Sequence, residues 1–532
     1  MTTTTRSRES FAPSRRNAAA TKTAAAEMLP LPPSADPRLR LPRQLVWLYL
    51  LLWVIEGSLR KWLLPELANP LLIVRDPVML LLYAVAMQRR VFPWRQPFVV
   101  AVLALGVLSM LCAFVATQAP WYVIAYGFRA NFLHLPLIFL APLIFDESDV
   151  RKIGRWVLLL ALPMAALVLA QFRVDPSHWL NIAAGGEGRQ MESALNHVRP
   201  SGTFSFTNGM CDFTALLAAF FLFCILEKKA FHRGLWLAAG GALTLMVVLS
   251  GSRATAGIMG LVLAGVALAC VLRPAYWKST YLLFALGGVI FLALGSFAVF
   301  REGLDVFSYR FGDEDNVKKT FFVRYFGTFL PQPNIWDIAP FAGIGLGMGT
   351  NVASSLIMGR RYFMLAENEF DRVIVESGPL LGSAFILLRY ALVIWLFQQV
   401  LRALRCNGRP LPLLLLCAGG SSILIGQYAQ PTELGFAVIA AGLCLSALRQ
   451  SPGAAASGAD DGALAAEAAL PAPNQGDPKR EKIRTAAAVT SSPSPARPRG
   501  RSAYAERMHK SRSETATAPP PRNAPPPPAA SV

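Results

Sequence analysis

About twelve apolar stretches, each long enough to cross a lipid bilayer, follow one another between the two polar ends of this chain. Hydrophobic residues make up 54% of the sequence even when the polar ends are included. A water-soluble domain needs a wetted surface and cannot use so much apolar sequence, whereas lipid can surround it. We therefore expect an all-α fold, a polytopic bundle of about twelve transmembrane helices.

The bundle is expected between two polar segments. The first, 1–42, has no apolar core, so we expect no signal peptide and an uncleaved anchor as the first span. After the membrane domain (43–448), the Ala-, Pro- and Arg-rich tail (449–532) cannot bury a core, and both polar segments are expected to be disordered. The spans are predicted at 43–64, 71–87, 97–117, 131–145, 155–172, 209–226, 234–250, 253–272, 279–300, 372–400, 411–427 and 432–448.

Lys and Arg are concentrated in alternate connections between these spans. Connections rich in positive charge stay in the cytoplasm, so both termini are predicted to be cytoplasmic. The two long connections, 173–208 and 301–371, then lie outside, between spans five and six and between spans nine and ten. Any chemistry is therefore expected at the outer face of the membrane.

The net charge and the positions of the cysteines and histidines limit which binding partners and cofactors we expect. The net charge of +19 lies mainly in the two tails and the cytoplasmic loops, where attraction to an anionic inner leaflet accounts for it. We therefore expect membrane lipids as partners and no nucleic acid. The seven cysteines are scattered through apolar spans and the five histidines lack ligand spacing, so we predict no disulfide framework, no metal and no cofactor.

Several ionisable residues lie inside the first two predicted spans. Each costs on the order of 3 kcal/mol near the bilayer centre and needs a partner, a water-filled cavity or a position near a helix end. Glu56 and Arg60 are four residues apart on one helix face, with Lys61 beside them, and Arg75 and Asp76 reach a similar depth in the second span. They predict a polar floor just below the outer surface. The alternative is that these pairs only lock helices together.

Two further arginines are held at defined places on the outer side. Arg253 follows a tight turn, Ser250-Gly251-Ser252, at the start of a helix, where a guanidinium and unpaired backbone N–H groups suit an anion. The alternative is that Arg253 only reaches to the membrane interface. Arg199 precedes Pro200 and Gly202, which fix a turn shortly before Asn208.

The larger outer connection carries Arg324 and then alternate glycines over 343–349. These glycines permit close approach to a ligand or to another helix, and without a following Lys they do not form a nucleotide phosphate loop. Next come Glu367, Asn368, Glu369, Asp371 and Arg372. They are either a solvated helix start or a base beside a cation.

These segments together resemble the O-antigen polymerase and O-antigen ligase superfamily of bacterial inner-membrane glycosyltransferases, over roughly 45–448. Ligases of this superfamily typically have a His directly before the Asn that matches Asn368, where this chain has Glu367, which favours a polymerase of exopolysaccharide or O-antigen repeats, similar to exopolysaccharide-polymerase members. The segments that carry the resemblance are Arg199-Pro200-Ser201-Gly202-Thr203-Phe204 with Asn208, Ser250-Gly251-Ser252-Arg253-Ala254, Gly343-Ile344-Gly345-Leu346-Gly347, Glu367-Asn368-Glu369 and Glu376-Ser377-Gly378.

The resemblance implies a metal-independent transfer at the periplasmic face of the inner membrane. The donor is a glycan on undecaprenyl diphosphate, and the acceptor is a sugar hydroxyl on a second lipid-linked unit. The departing diphosphate needs cations, for which the candidates are Arg253, Arg199 and Arg324, with Arg60 and Arg75 as supports. The other supporting residues are Glu56, Lys61, Asp76, Asn208, Asn368 and Arg372.

The acceptor hydroxyl needs a base. Glu367 is the matching position, with Glu369 and Asp371 as substitutes, and attack opposite the leaving group would invert the anomeric centre. An O-antigen ligase with another acceptor stays open, as do partner proteins for export or chain length.

Two alternative functions, from other classes of membrane protein, compete with the glycosyltransferase. A secondary transporter also has about twelve spans with buried charges, but the chain shows no internal repeat and its connection after span six is short. A non-catalytic scaffold that docks partners through its Pro-rich tail leaves the outer arginines unexplained.

Overall fold

The computed structural model of the chain describes residues 36–185, 188–227, 231–311, 328–358 and 368–449. All the regular elements in these ranges are helices, and their β structure is limited to two isolated bridges, Ile182 with Arg189 and Glu192 with Val198. The all-α prediction is confirmed for these residues. The segments predicted to be disordered fall almost wholly outside them, as do Glu367 and Arg324.

The helices follow the apolar stretches of the sequence. π-helical turns at Leu59–Leu63 and Arg129–Leu133 and five short 3-10 turns accompany them. The helices of the described ranges are α1 Arg40–Ser58, α2 Arg75–Gln88, α3 Pro97–Ala116, α4 Trp121–Phe128, α5 Pro136–Ile144, α6 Glu147–Arg173, α7 Thr207–Leu226, α8 Arg233–Leu249, α9 Arg253–Leu272, α10 Trp277–Gly295, α11 Ala298–Phe311, α12 Ile335–Ile338, α13 Asn351–Met358, α14 Glu369–Asn407, α15 Leu411–Ile425 and α16 Pro431–Ala447.

Seven helices in the described ranges are long and apolar enough to cross a membrane, which indicates a membrane protein. An eighth span results if α4, its π-helical continuation and α5 are counted together, although they are bent by 45°. The predicted count of about twelve is not reached by this measure. The helices α8, α15 and α16 are apolar but shorter, and Arg43, Gln44 and Glu56 lower the mean hydropathy of α1.

Helix α7 lies at the centre of the bundle. Every residue from Gly209 to Leu226 is buried, which is the burial expected of a helix that is hydrophobic on all sides. It packs against α6, α8, α9, α15 and α16. Residues at its first turns are therefore held rigidly from several directions.

Helix α14 is kinked where the glycine run meets it. Gly378 has a φ of 80°, a conformation that favours glycine, and Pro379 follows it. An added Cβ at Gly378 would overlap the carbonyl oxygen of Phe341, and one at Gly343 would overlap that of Glu376. Of the two readings of the glycine run, close approach to another helix is the one present here.

The end of α1 packs just as closely on the turn that follows Arg199. A methyl group at Gly57 would overlap the backbone of Phe204 and Ser205. We therefore expect Gly57→Ala to lower the free energy of unfolding by about 1–3 kcal/mol, measured as a lower melting temperature of the purified protein in detergent. Gly260 of α9 has open space around it, so Gly260→Ala is the control and should not destabilise. Equal losses from the two substitutions would contradict this packing.

Candidate functional site

The predicted polar floor is present in part. The guanidinium of Arg75 donates from Nε to Glu56 at 3.0 Å and also donates to the carbonyl of Pro431. Arg60 lies 3.7 Å from the same carboxylate and donates to Ser205 Oγ at 2.9 Å. Arg75 is only 1% exposed, so its role is to join α1, α2 and the start of α16.

Asp76 belongs to a separate cluster. Its carboxylate accepts from Nε and Nη2 of Arg129, at 2.7 and 3.0 Å, and contacts Nε2 of His134 at 3.1 Å. The other ring nitrogen of His134 lies 2.9 Å from the hydroxyl of Tyr49. The sequence reasoning missed both residues: Arg129 precedes the predicted fourth span, and His134, inside that span, lacks the spacing of a metal-ligand motif.

Lys61 has a different environment from the arginines beside it. Its ammonium donates to Ser201 Oγ at 2.9 Å and to the carbonyl of Gly202 at 2.6 Å, and it lies 4.4 Å from the centre of the Trp62 ring. The residue is 2% exposed, and no acidic side chain of the described residues pairs with it. Lys61 therefore fixes the turn that follows Arg199.

Arg199 and Arg253 lie near each other without an acidic partner. Both side chains are partly buried, both Nε atoms are buried without a hydrogen-bond partner, and neither forms an ion pair with a described residue. Burial lowers the pKa of Arg199; Cys211 opposes this shift, and the neighbouring charge of Arg253 adds to it. Two neighbouring arginines without a counter-charge make a place that favours an anion.

The turn before Arg253 anchors this pair to α7. Ser252 caps α9 by accepting from the backbone N–H of Thr255, at 3.4 Å. The thiol of Cys211 on α7 lies 3.6 Å from Ser252 Oγ and 2.9 Å from Thr255 Oγ1. The start of α9 is thus tied to the rigid central helix.

A cavity of about 510 Å³ borders the first turn of α7. Its polar lining includes Arg60, Tyr126, Asn208 and Gln430, while Arg199 and Arg253 do not line it. The amide of Asn208 donates to that of Gln430 at 3.3 Å across one wall. Such a cavity, largely apolar with a few polar groups, suits an amphiphilic ligand.

Glu369 is held in an ion-pair network. Its carboxylate accepts from Nη2 and Nε of Arg372, at 2.8 and 2.9 Å, from Arg389 at 3.2 Å and from the backbone N–H of Tyr428 at 3.2 Å. Arg389, which the sequence reasoning did not single out, also donates to two backbone carbonyls of the α15 end, Ile423 and Gly426. With its lone pairs engaged, Glu369 is poorly placed to accept a proton from a substrate.

The glycine run supplies donors to a second carboxylate of this network. Backbone N–H groups of Gly347 and Gly349 donate to Glu376 at 3.1 and 2.9 Å. Arg372 donates to the same carboxylate at 2.7 Å and to Asn131 at 2.8 Å. The run therefore holds an internal carboxylate, and no space for an external anion is needed to explain it.

The remaining acidic candidates lie at the start of α14. Asn368 accepts from the backbone N–H of Phe370 at 3.3 Å and so caps the helix. Asp371 accepts from the backbone N–H of Gln332 at 2.9 Å, which ties the 328–341 segment to α14. Glu367 and Arg324 lie outside the described residues.

Within the described ranges, no three His, Cys, Asp or Glu side chains converge as metal ligands. No protein-family model matches the chain, and no characterised protein matches it with significant similarity. The resemblance described above therefore remains an expectation from short motifs.

The network around Glu369 generates a prediction about its role. Glu369→Gln removes the negative charge that faces two buried guanidinium groups, so the free energy of unfolding should fall by about 3–5 kcal/mol. The exposed Glu66 provides the control, because Glu66→Gln removes a carboxylate charge without touching a buried pair. Melting temperatures in detergent measure both. If Glu369→Gln melts like the native protein, its carboxylate is not the structural centre of this network.

Proposed function

We propose that this protein is a membrane glycosyltransferase of the polysaccharide-polymerase type. Arg199 and Arg253 bind the diphosphate of a lipid-linked oligosaccharide, and the glycan passes to a sugar hydroxyl on a second lipid-linked unit. One observation carries the proposal: these two neighbouring, partly buried arginines lack the acidic partner that the buried arginines of the described residues have.

The contrast with the other arginines supports this choice. A cation in an apolar environment is costly unless a counter-charge neutralises it. Two neighbouring cations without one leave local positive charge that a dianionic or trianionic diphosphate would neutralise. The arginines with acidic partners are Arg43 with Asp149, Arg60 and Arg75 with Glu56, Arg129 with Asp76, and Arg372 and Arg389 with Glu369.

The chemistry assigned to this pair is stabilisation of the leaving group. As the bond between the sugar C1 and the diphosphate breaks, negative charge accumulates on the diphosphate oxygens, and fixed guanidinium groups stabilise it without reorganisation. Arg60 and Arg75 are engaged by Glu56 and contribute through the packing of α1 and α2. The proposal needs no metal ion.

The base in the proposal is Glu367, which the resemblance places at the matching position. Glu369 is engaged by Arg372 and Arg389, and Asp371 by a backbone N–H, so the described geometry favours neither as base. Attack on the face opposite the diphosphate would invert the anomeric centre. Glu367 in place of the ligase histidine supports a polymerase over a ligase.

The proposed location is the bacterial inner membrane, with about twelve spans and both termini in the cytoplasm. Supporting this, each predicted span overlaps a helix of the described ranges, and the cationic connections alternate. The connection between α6 and α7, which carries Arg199, and the 301–371 connection are then periplasmic.

This topology predicts an asymmetric labelling pattern. A membrane-impermeant thiol reagent should label Ser177→Cys, an exposed position of the α6–α7 connection, in intact cells with a permeable outer membrane. The exposed native Cys406 at the end of α14 should react only after the inner membrane is disrupted. The reverse pattern would place Arg199 and Arg253 on the side opposite to the proposed chemistry.

The activity is tested with purified protein in liposomes that contain a lipid-diphosphate oligosaccharide. We expect longer lipid-linked chains that persist in EDTA, and a loss on the order of 100-fold for Arg253→Ala, because one donor to the developing anion is removed. Arg155→Ala is the matched control, since Arg155 is an exposed residue of α6.

Two outcomes would contradict the proposal. In one, Arg253→Ala elongates chains as fast as the native protein and the Arg155→Ala control. In the other, intact substrate crosses the membrane without any new glycosidic bond, which is the behaviour of a carrier.

A further inference from the structure

Two buried carboxyl groups belong to none of the ion-pair groups around Glu56, Asp76 and Glu369. Asp212 lies on the central helix α7 and is 2% exposed, and Glu433 lies in the first turn of α16 and is 9% exposed. Neither forms an ion pair with a cation of the described residues. The sequence reasoning missed both, because each is a single acid within an apolar stretch.

The two carboxyl groups come together where α7 packs against α16 and the end of α15, since Glu433 Oε1 borders Gly426 just after α15. Ser422 of α15 donates to Asp212 Oδ1 at 3.4 Å. The other oxygen, Oδ2, is buried, and no N–H or O–H group of the described residues donates to it. This acceptor oxygen therefore lacks a hydrogen-bond donor. A protonated carboxyl group of Glu433 would supply one.

The charges that face the pair do not neutralise it. Arg389 is a cation near the pair, and its N–H groups are directed at Glu369 and at the carbonyls of Ile423 and Gly426. Arg75, which reaches the start of α16, is engaged by Glu56 and by the carbonyl of Pro431. Two adjacent carboxylates in a desolvated place cannot both ionise at low cost, so one of them retains a proton. The titratable and charged groups around the pair are Cys211 on α7, Glu369 and Arg389 on α14, and Tyr428 before α16.

The pair lies one helical turn below the wall of the cavity. Asn208 precedes Asp212 by four residues and Gln430 precedes Glu433 by three, so each amide shares a helix side with one acid. The two amides contact each other at 3.3 Å and line the cavity. The same two helices therefore meet first at the cavity wall and then at the acid pair.

We propose that Asp212 and Glu433 form a proton-binding site, in which one shared proton holds α7 against α16 and keeps the cavity wall closed. Loss of this proton leaves two buried negative charges in contact, and their repulsion separates the starts of the two helices. The site binds a proton and no metal cation. It does not depend on the proposed glycosyl transfer.

The shared proton is detected directly by infrared spectroscopy of the full-length protein in lipid nanodiscs. We expect a protonated-carboxyl band near neutral pH that shifts in D2O and is lost in both Glu433→Gln and Asp212→Asn. In each variant the remaining acid accepts a hydrogen bond from the new amide and ionises. The control Glu66→Gln should keep the band, because Glu66 is exposed. A spectrum of the native protein without this band, or a band that both variants retain, overturns the site.

The same variants test what the proton stabilises. A carboxyl that keeps its proton in the folded state stabilises the fold at low pH and loses this contribution as the pH rises. The native protein should therefore show a falling melting temperature with rising pH, and Glu433→Gln should lose that slope. Equal slopes in the two proteins overturn the proposal, as does recovery of the melting temperature at high pH by Na⁺ or Li⁺, which would identify a metal-cation site.

The rate of thiol labelling inside the cavity measures whether its wall opens. Ser355 lines the cavity, so a thiol reagent should label Ser355→Cys faster at high pH than at low pH, relative to the rate with the exposed Cys406. The acceleration should disappear when Glu433→Gln is added. An unchanged relative rate across the pH range overturns the link between the proton and the cavity.

Discussion

The architecture depends on the free-energy cost of placing charge in an apolar bundle. This cost explains why arginines inside the helices face acids: Arg75 faces Glu56, Arg129 faces Asp76, and Arg372 faces Glu369. The first two pairs join different helical segments, whereas the third lies within the first turns of α14. The same cost makes buried charges without an opposite partner informative, because such a charge implies that something else neutralises it.

Apart from Lys61, which Ser201 and the Gly202 carbonyl hold, two clusters of charge without an opposite partner are present among the described residues, and they are opposite in sign. Arg199 and Arg253 place positive charge together on the side predicted to be periplasmic, which suits an anion such as a diphosphate. Asp212 and Glu433 place two acids together inside the bundle, which suits a proton. Both lie next to the first turns of α7, which is tied to α9 through Cys211 and to Gln430 through Asn208. The central helix thus connects the anion site, the cavity wall and the proton site.

The sequence predicted those features that arise from local pattern. Apolar runs predicted the helices, and the four-residue spacing of Glu56 and Arg60 predicted that they share a face. It could not predict which acid faces which arginine across helices, so Asp76 was grouped with Arg75 although it pairs with Arg129. The pairing of Asp212 with Glu433 is likewise a consequence of tertiary packing. The glycine run allowed two interpretations, and its tertiary contacts distinguish them: Gly343 packs on the backbone of α14, and Gly347 and Gly349 donate to Glu376.

The central claim is that Arg199 and Arg253 bind a diphosphate, and direct binding tests it most simply. The measurement is the affinity of the purified protein for a water-soluble prenyl diphosphate, with inorganic phosphate as the reference anion. The account predicts saturable binding that weakens about tenfold or more for either Arg199→Ala or Arg253→Ala, since each removes charged hydrogen bonds. Arg155→Ala should bind like the native protein. Equal affinity in all four proteins would contradict the account.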